Sequence, residues 1–226
     1  MRKILLFVSI AAFFAACTPQ PKFELEVNIQ DNSSLINKKI IVSQQIDGVT
    51  VYTDTSKIKK DHFVMEIPYK GQALLNLSIP TSNVNDILMA SEEGKIQLDI
   101  NGTKPHLGGT PINDRLQAFY LGGDSVSSLF KQLATEENAF DQQSMAAPAN
   151  AKMKAELQKK GEELRQKRQQ LLKENTDRIV AFIKENVDNP IGEYFFMTHY
   201  ITFPVDRKLE LNAFATDKLK KAIGIQ

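Results

Sequence analysis

The chain has one cysteine, no tryptophan, three histidines and almost no net charge, with 28 Lys and Arg against 27 Asp and Glu in 226 residues. A single cysteine, Cys17, excludes an intramolecular disulfide, a Cys-x-x-Cys redox pair and a thiolate zinc site built from this chain alone. The charge balance excludes a long-range pull toward nucleic acid or an anionic membrane. The sequence has no Gly-x-Ser-x-Gly nucleophile elbow, no P-loop lysine and no dinucleotide fingerprint. Its one long apolar run, Ile4 to Phe14, falls short of the roughly 20 residues needed to span hydrocarbon, and Pro19 and Pro21 follow soon after.

What is present begins with an export pattern over residues 1–16. Arg2 and Lys3 supply positive charge, the apolar run follows, and Ala15 and Ala16 are small residues before Cys17. An unpaired cysteine in an exported chain needs an explanation. The run Phe14-Ala15-Ala16-Cys17 resembles the lipobox of bacterial lipoproteins, with Phe14 where Leu is usual. The resemblance implies cleavage before Cys17, a diacylglyceryl group on its sulfur and an acylated new amino terminus. Several chains matter, because one acyl chain anchors only marginally at about 0.8 kcal/mol per buried methylene. An ordinary signal peptide that leaves a free thiol is the alternative.

Without Arg2 and Lys3 the 28 basic and 27 acidic residues become 26 and 27. Thr18 to Lys22 lack the acids that surface-exposed lipoproteins of this kind often carry after the cysteine, so a periplasm-facing protein is expected. Two prolines make residues 17–22 a short extended, lipidated tether.

From residue 23 to 102 apolar side chains recur at every second position, as in Phe23, Leu25, Val27 and Ile29, and again in Ile96, Leu98 and Ile100. Period two predicts strands with one buried face. Ile40–Ser43, Val49–Ile58, His62–Pro68, Ala73–Ile79 and Asp86–Ala90 fill the interval, separated by turn-prone segments such as Asp47-Gly48 and Lys70-Gly71. About seven short strands predict an antiparallel β-sandwich or open barrel.

Residues 103–226 read as a helical segment, so the fold class is α+β. A loop over Thr103–Pro111 leads into helical spacing at Ile112, Leu116 and Phe119. Gly122-Gly123 is expected to break that helix, with Asp124 and Ser125 capping a second piece. The longest helix is placed from Ala151 to Val187. Its first half has a thin stripe of Met153, Leu157, Leu164 and Leu171 and predicts a mostly solvated arm. Its second half widens at Ile179, Val180, Phe182 and Ile183 and predicts a docked face. The aromatic group Tyr194 to Phe203 implies a short core-packed helix, and a last amphipathic piece follows over Lys208–Ile223.

Candidate chemistry is sparse. His62, His106 and His199 fall in a strand, a loop and a helix, and none has a second ligand at zinc-binding spacing, so no metal and no cofactor is expected. Gly108-Gly109-Thr110 precedes a helix start and could offer backbone amides to an anion, but it reads more simply as a turn. Carboxylates such as Glu24, Glu26, Asp47, Asp54 and Asp99 fit solvated strand edges. The basic residues between Lys152 and Lys173 alternate with Glu156, Glu162 and Glu163 and lack aromatics, which fits a solvated or partner-facing helix and not a nucleic-acid contact. No catalytic residue is assigned, and Cys17 is the one site, for lipid.

The order of parts resembles the amino-terminal region of envelope thiol-disulfide oxidoreductases of Bacteroidota, catalogued as domain of unknown function 4369 plus a helical segment. The resemblance rests on Phe23-Glu24-Leu25-Glu26-Val27, on Gly108-Gly109-Thr110-Pro111-Ile112-Asn113-Asp114 and on Phe182 to Tyr194 with its Asn-Pro-Ile-Gly core. In those proteins a thioredoxin-like domain follows, and here the chain reaches Gln226 where it would begin. The resemblance therefore implies the fold, the envelope location and an accessory role, with a thioredoxin-fold protein among the expected partners, and no redox activity. A lipid-anchored, non-catalytic accessory or protein-binding module is the leading expectation. A small-molecule or glycan binder is the alternative.

Overall fold

The alternation along the first third of the chain becomes two facing sheets. The computed structural model describes residues 21–80, 82, 84, 86–102, 104–146 and 150–224, so the export segment, Cys17 and all of the tether before Pro21 lie outside the described residues. Strands β1 (Lys22–Gln30), β4 (His62–Pro68), β7 (Lys95–Asn101) and β8 (Lys104–Gly108) form one sheet in the order β4-β1-β7-β8. Strands β2 (Lys39–Ile46), β3 (Val49–Lys57), β5 (Leu74–Ser78) and β6 (Ile87–Ala90) form the other, in the order β3-β2-β5-β6. Phe23, Leu25, Val27, Ile96, Leu98 and Ile100 of the first sheet share one buried core with Ile40, Val42, Leu75, Leu77 and Met89 of the second. This is the expected sandwich.

Most neighbouring strands are antiparallel, but β1 and β7 pair in parallel, with Leu25 opposite Ile96 and Val27 opposite Leu98. The whole second sheet is threaded between them in sequence, and a connection of that length can return a strand in either direction. Asp47 and Gly48, at φ 52° and 76°, make the tight β2–β3 turn, as two successive positive φ values do in hairpins whose twist suits the strands.

Two boundaries move. Lys22 already belongs to β1, opposite Pro68, so the free tether is one residue shorter than expected. Residues 104–108, expected as loop, are the edge strand β8, with Leu107 opposite Leu98 and Pro105 opposite Ile100, so the β part ends at Gly108 and not at residue 102. Gly102, at φ 60°, makes the reversal. Pro105 is tolerated because an edge strand has one hydrogen-bonding side free.

Beyond Gly109 the chain is helical: α1 (Pro111–Ala146), α2 (Ala151–Glu185), α3 (Pro190–His199), α4 (Val205–Phe214) and α5 (Asp217–Ala222). The expected break at Gly122-Gly123 is absent, and α1 runs through it as a single helix. The two glycines lie under the Arg178 side chain of α2, whose Cδ and Nη2 would stand 3.6 and 3.4 Å from Cβ atoms added there. The final stretch, expected as one piece, is two helices, because Thr216 caps a new start by accepting from the Leu219 amide.

The outer parts of α1 and α2 form an antiparallel hairpin with its own small core of Leu133, Leu164 and Leu171, flanked by Val126, Phe130 and Phe140. The first half of α2 is mostly exposed, as expected of an arm, while Leu164 and Leu171 of its thin stripe are buried. That stripe is the seam of a two-helix arm, and Gly161 admits the Phe140 ring, whose Cζ would meet an added Cβ at 3.2 Å.

Candidate functional site: the helical arm and the cleft at its root

The arm leaves the sandwich at the end opposite Pro21, the first described residue. Pro21 accepts a hydrogen bond from the Tyr69 amide and precedes Lys22, so the amino terminus lies at the start of β1. Parallel pairing puts the start of β7 at that same end, and β8, antiparallel to β7, returns there at Gly108. Gly109 packs against the Lys95 carbonyl, only 2.5 Å from where a Cβ would lie. Helix α1 begins beside it and climbs back along β8, with Gln117 accepting from the Leu107 amide at 2.7 Å. Leu121 and Asp124 then come level with Pro105 and Asn101, at the far end, around a shared cleft. Past that point, among the described residues, the buried apolar side chains of α1 and α2 pack against each other.

The start of α1 is locked by side chains. Glu92 accepts from the Ile112 amide at 2.8 Å and the Asn113 amide at 3.3 Å, and Asp114 accepts from the Gly109 amide at 3.0 Å. These carboxylates occupy the amides that an external anion would use, so Gly108-Gly109-Thr110 serves as a turn. Buried Asn113 fixes the helix to the sheet by accepting from the Ala90 amide and donating to the Ala90 carbonyl, both at 2.9 Å.

Beyond the root, Lys167 pairs with Glu136 and Arg168 with Glu137 across the hairpin, setting its register. The first turns of α2, at the tip, carry exposed Lys152, Lys154, Lys159 and Lys160 against Glu156 alone, with no acid in the first turn. Positive charge opposes the dipole at a helix amino terminus, which applies to Lys152 and Lys154 of the first turn, whereas Lys160 acts on Glu136 of α1.

The cleft at the root has a volume of about 880 Å³ and is walled by β6, β8, α1 and α2. Ile87, Leu88, Pro105, Phe119 and Leu121 supply apolar surface, and Arg178 supplies positive charge. The Arg178 guanidinium lies 4.1 Å above the Phe119 ring centroid. It donates through Nη1 to the Phe119 carbonyl at 2.8 Å and through Nη2 to Asn175 Oδ1 at 3.1 Å. Its Nε is buried with no partner among the described residues. Burial holds this guanidinium below its ordinary pKa. Burial also lifts the Tyr120 phenol, with the Tyr194 charge as a lesser cause, pushing it up to about 12, so it stays a neutral donor at the cleft's edge.

The structure does not bring the three histidines together. His62, on β4, faces outward with Nε2 2.9 Å from Glu26 Oε1. That bond is the main reason Glu26 titrates below its usual range. His106 lies in strand β8 and lines the cleft. His199 is stacked between Phe195 and Phe203, with centroids 5.7 and 6.0 Å away. Burial first, and the Arg178 charge second, lower its pKa. Among the described residues no three His, Cys, Asp or Glu side chains stand close enough to hold a metal ion.

Asp99 lies between Asn28 and His106 in adjacent strands and accepts from Asn28 Nδ2 at 2.7 Å, while Glu24 is within ion-pair reach of Lys95 at 3.6 Å. The expected solvated strand face thus has cross-strand pairs. No family model, curated protein or solved structure matches this chain. Sequence reasoning missed Arg178 altogether. Its one signal was the pair Gly122-Gly123, which marks the space that a large side chain from another helix fills.

Proposed function

We propose that the chain is a lipid-anchored, non-catalytic module of the bacterial cell envelope that carries a protein partner on a helical arm held away from the bilayer. The observation that supports this reading is the placement of Pro21, the first described residue, and of the arm at opposite ends of the sandwich. Four residue steps separate Cys17 from Pro21, a reach of at most about 14 Å, so a lipid on Cys17 would hold the amino-terminal end of the sandwich close to the membrane. The arm would then point outward, its lysine-rich tip foremost, toward a partner with an acidic face. A thioredoxin-fold protein is the candidate that the sequence resemblance suggests.

The test is crosslinking of the native lipoprotein in its own cells, recovery through a carboxy-terminal tag and identification of attached proteins, with Cys17→Ser as the unanchored control. Attachment through Lys152 or Lys154, weakened by salt and by Cys17→Ser, is the expected result. Recovery of no protein above background, or attachment only through the sandwich, would overturn it. A second reading, a small-molecule binder, draws on the cleft.

A further inference from the structure

The cleft at the root of the arm has features that the arm does not need. Arg178 is half-buried, and a guanidinium drawn partly out of water gains most from a carboxylate partner. Arg165, Arg168 and Arg207 each pair with an acid, and Arg115 hydrogen-bonds Asn186. Arg178 instead meets two neutral acceptors, the Phe119 carbonyl and the Asn175 amide oxygen. A guanidinium has five N–H donors. Each Nη spends one of its two on these bonds, and Arg178 lines the cleft.

The volume of about 880 Å³ lies within the range of pockets that hold small organic ligands. Phe119, Leu121, Ile87, Leu88 and Pro105 would cover an apolar body beside the charge. Asp86, exposed, lines the same cleft. Its charge repels a doubly charged phosphate more than a single carboxylate.

We infer that the cleft binds a small monocarboxylate with an apolar body, the carboxylate on the Arg178 Nη groups and the body along Phe119 and Leu121. This site is separate from the arm's tip and stands whether or not the tip engages a protein.

The experiment uses phenylacetate, the neutral phenylacetamide and phenyl phosphate as probes of the mature protein, followed by amide chemical shifts in NMR titrations. Phenylacetate is expected to saturate shifts at Phe119, Tyr120 and Leu121, with the amide weaker by about tenfold, the difference between a charge-assisted and a neutral hydrogen bond, and with the doubly charged phosphate weaker through repulsion by Asp86. Arg178→Gln should remove the preference of acid over amide. Because Arg178 also braces α1 against α2, Asp86→Asn is the second variant. It removes an exposed negative charge from the cleft's lining and should strengthen phenylacetate while leaving phenylacetamide unchanged. Equal binding of acid and amide, stronger binding of the phosphate, or shifts scattered away from the cleft would overturn the inference.

Discussion

At the scale of single residues, the block Asn186 to Gly192 is a corner between α2 and α3, and its side chains explain its composition. Buried Asn186 donates to the Phe182 carbonyl at 2.9 Å and accepts from Arg115 Nε at 3.2 Å and from Asn189 Nδ2 at 3.0 Å. Asn189 caps α3 by accepting from the Ile191 and Gly192 amides, and Pro190 opens the helix. Gly192 is required by contact, since an added Cβ would fall 1.8 Å from the Asn186 carbonyl oxygen. Gly192→Ala should therefore cost at least about 3 kcal/mol, at the upper end of overpacking, read as a lowered denaturation midpoint.

His199 carries a second prediction at this scale. Its folded pKa lies below the ordinary histidine value of 6.5, chiefly through burial, so the unfolded chain takes up a proton before the folded one does. The contribution of His199 is fully present above about pH 6.5 and declines as pH falls from there through the lowered folded value. Thermal melts from pH 7.5 downward should show Tm falling in that window, before carboxylates titrate. His199→Gln should flatten the slope there.

At the scale of elements, the strands were legible because period two survives wherever one face is buried. Strand β8 was not, because Lys104 to Gly108 is short and contains Pro105, and its place depends on β7 already being there. The glycine pair in α1 misled for the same reason, since local propensity cannot register a side chain arriving from α2. Gly122 has a consequence of its own. The nearest atom to an added Cβ is Arg178 Cδ at 3.6 Å, an ordinary contact, and its φ is not in the left-handed region. Gly122→Ala should therefore stabilise α1 by up to about 1 kcal/mol through helix propensity, visible as a raised Tm.

The arm itself is thinly held, because among the described residues only Leu133, Leu164 and Leu171 are buried in its seam. Leu164→Ala should remove about 2 to 4 kcal/mol from that seam. Amide exchange should quicken across the outer parts of α1 and α2 while the sandwich strands keep their protection. Uniform acceleration across both would mean that arm and sandwich unfold as one unit.

At the scale of the whole molecule, the sequence showed a β part and a helical part in order, but not their relative direction. Direction depends on the parallel β1–β7 pair and on α1 turning back along β8, and neither leaves a mark in hydrophobic periodicity. Those two features are what set the arm opposite the start of β1. The nine residues of β1 span about 30 Å at strand rise, and the part of α1 beyond Asp124 adds about 33 Å at helix rise. A lipid on Cys17 would then hold the arm's tip roughly 60 Å from the bilayer surface. Neutron reflectometry of the acylated protein on a supported bilayer should find a layer of about that thickness, densest in its inner half where the sandwich lies. Replacing residues 126–171 with a short linker should remove the thin outer half and leave the inner half unchanged. A layer no thicker than the sandwich in the intact protein would mean that the arm lies along the membrane, and the proposed reach toward a distant partner would fail with it.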